Sequence, residues 1–234
     1  AIQNDLISNA LVRSVAFRTE QNYLSNGLPG SLGVTYVPPD PTLARQLMDE
    51  LVAMANASPS GVDPLVLASI VSLGFVLIHP FMDGNGRLSR FLFHQVLCLQ
   101  GALDESLLVP VSIVLRRNEN EYLEALRTFS DPVTRFWKVR SQANGGLALA
   151  FQGHPALYRY WDATSGVEFM MNATKHAIDQ DLKRETVFLK HYDEIYRRID
   201  RAFDVANMDL TRLVRFCLEQ NGQISDDRRR QFEH

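Results

Sequence analysis

Cysteine is scarce in this chain, with only Cys98 and Cys217 among 234 residues. Disulfide frameworks use more cysteines in a shorter chain, so two buried thiols in a reducing compartment are expected instead. Long apolar runs are also missing, and none approaches the roughly 18 residues that a membrane-spanning helix requires. No excess of positive charge is present either. Lys and Arg total 24 against 27 Asp and Glu, and the net charge of -3 gives no bulk attraction to nucleic acid or to an anionic membrane. The chain lacks repeats and low-complexity tracts, and its first residues alternate polar and apolar, unlike a signal peptide. What remains is 46% hydrophobic and 22% charged, enough for one large domain or one domain with a smaller companion. A first residue of Ala, and an end at Glu233-His234 with no obvious stop, give the expectation of a piece of something longer.

Helical periodicity dominates the pattern. Leu6, Ile7, Ala10, Leu11 and Val15 predict a helix over 3–17. Between Arg18 and Pro39 the texture changes: Asn26-Gly27, Pro29-Gly30 and Gly33 are turn signals, and Gly33 to Val37 has strand character before Pro38-Pro39. This stretch reads as a β-hairpin or flap. Asp40-Pro41-Thr42 suits a helix start, with Leu43, Leu47, Leu51 and Met54 as a stripe running to about Ala57. Asp63-Pro64 is a cap followed by proline at the first helical position. Over 65–78 only Ser69 and Ser72 carry polar side chains, which predicts a helix buried on most faces. A second apolar helix runs from Leu88 to Gln100 and stops at Gly101. A further helix is expected over Asn118 to Phe129, with Tyr122, Leu123 and Leu126 inward. After Phe136 and Trp137, another is expected to about Ala150. A soft boundary near Pro155 divides a core, 1–152, from a C-terminal helical extension, 153–234. The fold class expected is mainly α with one hairpin flap at about 18–39.

The chemistry concentrates in His79-Pro80-Phe81-Met82-Asp83-Gly84-Asn85-Gly86-Arg87-Leu88-Ser89-Arg90, which joins the two apolar helices. Gly84 and Gly86 flank Asn85, so the backbone turns sharply and presents amide groups with no side chain in the way. Those amides, with the positive end of the helix that begins there, make an anion site. Arg87 and Arg90 are three positions apart and share a helix face, where guanidinium groups suit phosphate oxygens. Asp83 offers a hard oxygen for Mg²⁺. His79 has an ordinary pKa near neutrality, as a general base requires. Residue chemistry alone therefore points to a nucleotide phosphate held with Mg²⁺ beside a histidine base.

This segment resembles the signature of the Fic family, His-x-Phe-x-acid-Gly-Asn-Gly-Arg-x-x-Arg, at every defined position. A chance match to eight such positions is on the order of one in ten billion per start site, so the signal is specific. Less specifically, Tyr36-Val37-Pro38-Pro39 resembles the family's flap end, and Asn118-x-x-x-Tyr122 resembles its nucleotide-side helix. The resemblance implies transfer of AMP from ATP to a Ser, Thr or Tyr hydroxyl of a target protein, or of the chain itself. It implies His79 as the general base and Asp83 as the Mg²⁺ ligand. Gly84, Asn85 and Gly86 would bind phosphate oxygens, Arg87 and Arg90 the leaving phosphates, and Phe81 would anchor the loop in the core. Tyr122 is a candidate for the adenine pocket. The flap, Leu32, Gly33, Val34, Thr35, Tyr36 and Val37, would pair with an extended target segment. The family also implies a cytoplasmic location and leaves homo-oligomerisation open.

Other polar residues call for no chemistry. His94, His154, His176 and His191 lack ligand-like spacing, and Arg228-Arg229-Arg230 reads as a solvated face. Leu210 to Phe232 could begin a small module, with DNA binding as a role to set beside catalysis. Many family members carry an inhibitory helix of Ser or Thr, three residues, Glu, then Gly or Asn. No such pattern occurs here; Thr164 and Glu168 come nearest, but Phe169 follows. The inhibitory element is expected upstream or on another chain. Transfer of a different nucleotide or phospho-group, and a nucleotide-binding scaffold, are the rival functions.

Overall fold

The computed structural model describes residues 16–57, 61–104, 107–142, 146–203, 207–220 and 222–223. Helix dominates, beside two small antiparallel sheets, as the mainly α expectation requires. The backbone groups into two compact units, Ala1–Lys175 and His176–His234. The helix expected over 3–17 lies almost wholly outside the described residues, as do Arg228 to Arg230.

In the first unit, β1 (Leu24–Ser25) pairs antiparallel with β2 (Val34–Tyr36), Leu24 opposite Tyr36 and Ser25 opposite Val34 across an irregular step. The flap is thus two short strands joined by a loop that ends in a 3-10 turn, Gly30–Gly33. Helix α1 (Pro41–Ala57) starts where Asp40 Oδ1 accepts from the amides of Thr42 and Leu43 at 2.9 and 3.1 Å. Helix α2 (Pro64–Ile78) starts the same way, Asp63 Oδ1 accepting from Leu65 N at 2.8 Å with Pro64 in the first position. Both starts fall where the sequence placed them.

Helix α2 is the axis of the unit, because its run of apolar residues leaves no face for water. Leu67, Ala68, Val71, Leu73, Phe75 and Leu77 are all buried. Burying side chains the size of Leu or Phe contributes roughly 1.5–3 kcal/mol each. Helices α1 and α3 (Asn85–Leu99) pack on it. The α1 contact is close at Gly74, where an added Cβ would lie 3.1 Å from Leu51 Cδ1. Helix α3 ends before Gly101, which takes a left-handed φ of 68°.

Two expectations need correction beyond α4 (Val111–Arg117). Helix α5 (Glu119–Thr134) runs past the expected end at Phe129 and continues through Pro132, giving up the one backbone bond that a proline cannot donate. Its apolar stripe is Tyr122, Leu126, Phe129 and Val133; Leu123, one position off that stripe, is exposed. The larger correction concerns 138–150, which is a hairpin and not a helix. Strand β3 (Trp137–Ser141) pairs antiparallel with β4 (Leu147–Phe151), Trp137 opposite Phe151 and Ser141 opposite Leu147. Lys138 and Arg140 face water while Trp137 and Val139 are half-buried, the period-two alternation of a strand. The Leu and Ala content of β4 disguised it, although Asn144-Gly145-Gly146 lies between the strands as a turn signal. Trp137 and Phe151, ring centroids 5.0 Å apart, fasten the open end.

Past Pro155, a 3-10 turn (Pro155–Tyr158) and α6 (Thr164–His176) complete the unit. Tyr158 and Trp161 lie edge-on to Phe129 at 6.1 and 6.0 Å. The second unit comprises a π-helical stretch (Ala177–Leu182), α7 (Lys183–Ala202) and α8 (Asn207–Glu219), with Leu210 and Val214 buried in α8. Cys98 and Cys217 are free thiols, half-buried.

Candidate active site

The turn between α2 and α3 begins at His79, whose φ of 51° and ψ of 57° are left-handed. It is the only non-glycine residue with positive φ among the described residues. That conformation costs an L-residue roughly 1–2 kcal/mol, so neighbouring contacts must hold it. His79 N donates to Phe75 O at 3.0 Å, closing α2. Arg18 Nε donates to His79 O at 2.9 Å, and Arg18 N to Pro80 O at 2.8 Å. Arg18 is 3% exposed, and its remaining donors reach Glu20 O and Pro39 O. No spacing in the sequence relates Arg18 to His79; it stood out only as the place where the flap begins.

The His79 ring is half-buried, with Nδ1 3.2 Å from Val76 O. A proton on Nδ1 donates to that carbonyl, which leaves the lone pair on Nε2. Burial, the largest influence, pushes the pKa down to about 4; the Val76 carbonyl and Asp83 act upward and Arg18 downward. The ordinary pKa expected from the sequence is not what the fold produces. Burial thus favours the neutral imidazole at pH 7, with its lone pair on Nε2.

Beyond it the loop is braced from within. Asn85, 2% exposed, accepts from Phe81 N at 3.0 Å through Oδ1 and donates from Nδ2 to Phe81 O at 2.8 Å. The Asn85 side chain thus holds the loop's shape. The Phe81 ring meets Phe17 edge-on at 5.2 Å and Phe75 at 6.3 Å. Gly84, with φ of 84°, caps α3 and contributes no side-chain bond to its first amides. Those amides and the helix dipole face the loop as a positive patch. Asp83 Oδ1 accepts from Gly84 N at 2.7 Å, while Oδ2 lies 3.8 Å from Arg87 Nη2. Arg90 folds back over the loop, since a Cβ on Gly86 would lie 3.6 Å from its Nη1. Ser89 closes the first turn of α3, its hydroxyl donating to Gly86 O at 3.0 Å.

His79, Phe81, Asp83 and Gly84 therefore lie in the turn after α2, and Asn85, Gly86, Arg87 and Arg90 in the first two turns of α3. Tyr122 lies within electrostatic reach of Arg90, whose charge partly opposes the burial that lifts the tyrosine pKa to about 12. Its ring centroid is 5.7 Å from that of Phe169. The two arginines border a groove of about 740 Å³ that continues along α3 past Phe91 and His94. His94 is engaged there, Nε2 lying 2.7 Å from Val109 O. A separate cavity of about 180 Å³, lined by residues such as Leu51, Ile70 and Trp161, holds no motif residue.

The flap divides in two. Leu32 is 82% exposed and Thr35 faces water, but Tyr36 and Val37 are buried. Tyr36 Oη donates to Leu77 O at 2.6 Å. Both polar groups of the Val37 backbone are taken: its N–H donates to Thr134 Oγ1 at 3.3 Å and its carbonyl accepts from Tyr158 Oη at 2.7 Å. Of the remaining flap residues, Gly33 is buried and Val34 half-buried.

Residues 1–97 match the model of the Fic/DOC family. The chain is 31% identical over 106 residues to a protein adenylyltransferase Fic of Drosophila yakuba, covering 43% of this chain and 20% of that protein. It is 32% identical over 95 residues to a probable protein adenylyltransferase of Aquifex aeolicus (strain VF5), covering 41% of this chain and 27% of that one. The matched stretch thus spans about a fifth to a quarter of those relatives. In structure the chain resembles a Fic family protein from Desulfovibrio desulfuricans G20, with a TM-score of 0.50 and 23% identity over 93% of this chain and 57% of that one. The match to the Fic/DOC family model, residues 1–97, takes in the whole motif, His79 to Arg90.

Proposed function

We propose that this chain is a protein adenylyltransferase, moving AMP from ATP to a Ser, Thr or Tyr hydroxyl of a protein. The observation that carries the reading is the succession, from the end of α2 to the start of α3, of a histidine and a positive patch built from the first amides and two arginines of α3. The names of the adenylyltransferase relatives support it.

In this reaction the target oxygen bonds to the α-phosphorus as the bond from that phosphorus to the β-bridging oxygen breaks. The hydroxyl proton passes to His79 Nε2, and pyrophosphate leaves. Amides at the start of α3 meet the charge that grows on the α-phosphoryl oxygens, while Arg87 and Arg90 hold the departing phosphates. Because Asn85 is committed to Phe81, its part is to keep the loop open for phosphate, and the backbone supplies the donors. Tyr122 and the groove beside Arg90 receive the base and sugar.

Asp83 fits Mg²⁺ as a hard oxygen ligand. Among the described residues no group of three or more His, Cys, Asp and Glu converges, and Asp83 would hold the cation together with phosphate and water oxygens. That is the usual state of Mg²⁺ in phosphoryl-transfer sites. When bound, it supplies neutralisation of phosphate charge. The flap segment Leu32 to Thr35, in which Leu32 and Thr35 are the exposed residues, pairs with an extended segment of the target. No helix among the described residues is long and apolar enough to cross a membrane.

The test is incubation of the chain with Mg²⁺ and each nucleoside triphosphate labelled at the α-phosphate, beside His79→Ala. Label on protein from ATP alone, absent in the variant, supports the reading. Label from UTP or GTP instead would replace AMP with another nucleotide, and no label from any would refute transfer.

A further inference from the structure

Arg18 is the only charged side chain buried among the described residues. Taking a guanidinium out of water is costly, so a fold that buries one must engage its donors fully. Here they reach three segments of chain. Nε binds His79 O at 2.9 Å, Nη1 binds Glu20 O at 3.0 Å and Nη2 binds Pro39 O. The Arg18 backbone adds a bond from N to Pro80 O at 2.8 Å.

Two of these acceptors are consecutive carbonyls of the motif turn, and the arrangement has a particular consequence there. The peptide between His79 and Pro80 has no N–H, because Pro80 lacks one. Its only polar handle is His79 O, so the direction of that plane is open unless a donor pins the oxygen. The plane also belongs to a residue held at φ 51°, away from the conformations an L-residue prefers. Next to Arg18, the Phe17 ring packs edge-on against Phe81 at 5.2 Å, so one short segment grips both ends of the turn's opening. Another of its four acceptors, Pro39 O, lies between the flap strand β2 and α1.

We propose that Arg18 is the positioning residue for His79: by holding the His79 and Pro80 carbonyls it fixes the backbone from which the imidazole projects, and by holding Pro39 it sets the flap root in register with that imidazole. The proposal rests on the reading of His79 as the proton acceptor. Arg18 touches neither nucleotide nor target. Removing it leaves the Arg87 and Arg90 phosphate site in place and displaces the base.

The experiment compares the parent chain with Arg18→Met, which keeps length and apolar bulk, and with Arg18→Lys. Three readouts are taken: AMP transfer, affinity for ATP, and the ring resonances of His79 and His94. Arg18→Met is expected to lose about 100-fold in kcat, the effect of roughly 1 Å of misplacement, with ATP affinity within threefold of the parent. His79 resonances should shift or broaden while those of His94 stay in place. An ammonium cannot span three carbonyls, so Arg18→Lys should lose roughly tenfold in kcat with ATP affinity unchanged. Should Arg18→Met fail to fold, Arg18→Lys carries the same comparison. Parent-like kcat, or kcat and ATP affinity falling together, would overturn the proposal. Should the parent chain itself transfer no AMP, the functional reading falls, but the His79 resonances still decide the placement. Their movement in the variant supports Arg18 as the positioning residue, and their constancy refutes it.

Discussion

The motif turn and the flap are both short, glycine-bearing connections, yet they are held in opposite ways. The turn between α2 and α3 is fixed at nearly every residue: His79 by Arg18, Phe81 by Asn85, Gly84 by Asp83. The flap is bonded into the core at its root, through Tyr36 and Val37, while Leu32 at its tip meets little but water. The proposed transfer, which places a proton acceptor near a phosphorus to within a fraction of an ångström, needs the first kind of support. An edge that must accept different side chains needs only backbone groups and the second kind.

Acidification tests the turn with the largest expected effect on stability. His79 binds its proton at about 4 in the fold, against about 6.5 in an unfolded chain. The folded value is the lower one, so below pH 6.5 the unfolded state binds more protons. Stability that is complete above pH 6.5 is therefore lost as the pH falls towards 4, by up to roughly 3 kcal/mol. Urea unfolding of the parent chain and of His79→Asn should diverge in this window, the variant showing the flatter profile. Equal pH dependence would mean that His79 is not held neutral by burial.

Asn85→Ala is expected to come next. It strands the Phe81 N–H and carbonyl together and should cost about 2–3 kcal/mol. A change below about 0.5 kcal/mol in urea unfolding would show that the brace is dispensable. Tyr36→Phe removes one bond, to Leu77 O, and should cost about 1 kcal/mol by the same measurement. At the flap tip Leu32→Ser should stay within about 0.5 kcal/mol of the parent. If the tip substitution costs more than the root substitution, the division of the flap into root and tip is wrong.

Much of the site was legible because each motif residue brings its own chemistry to a fixed spacing. Asp63-Pro64 marked the start of α2, the run to Ile78 marked its burial, and Gly101 marked the end of α3. What stayed hidden depends on groups distant in sequence. Arg18 meets His79 across 61 positions, and no periodicity reports such a pairing. The pKa of His79 follows from how deeply α2 is packed, and the role of Asn85 from which carbonyl lies opposite it. The hairpin Trp137–Ser141 with Leu147–Phe151 was misread because Leu and Ala are strong helix formers. There, pairing between strands outweighed local preference. Tyr36 and Val37 read as flap edge by their β character, and the same character suits the buried root they occupy.

The central claim is that this turn transfers the α-phosphoryl group with AMP, using His79 as the base. It is tested most directly by incubating the chain with Mg²⁺ and ATP labelled at either the α- or the γ-phosphate, beside His79→Ala. The account predicts label on protein from α-labelled ATP only, lost in the variant. Label arriving from the γ-phosphate, or surviving in His79→Ala, would contradict it.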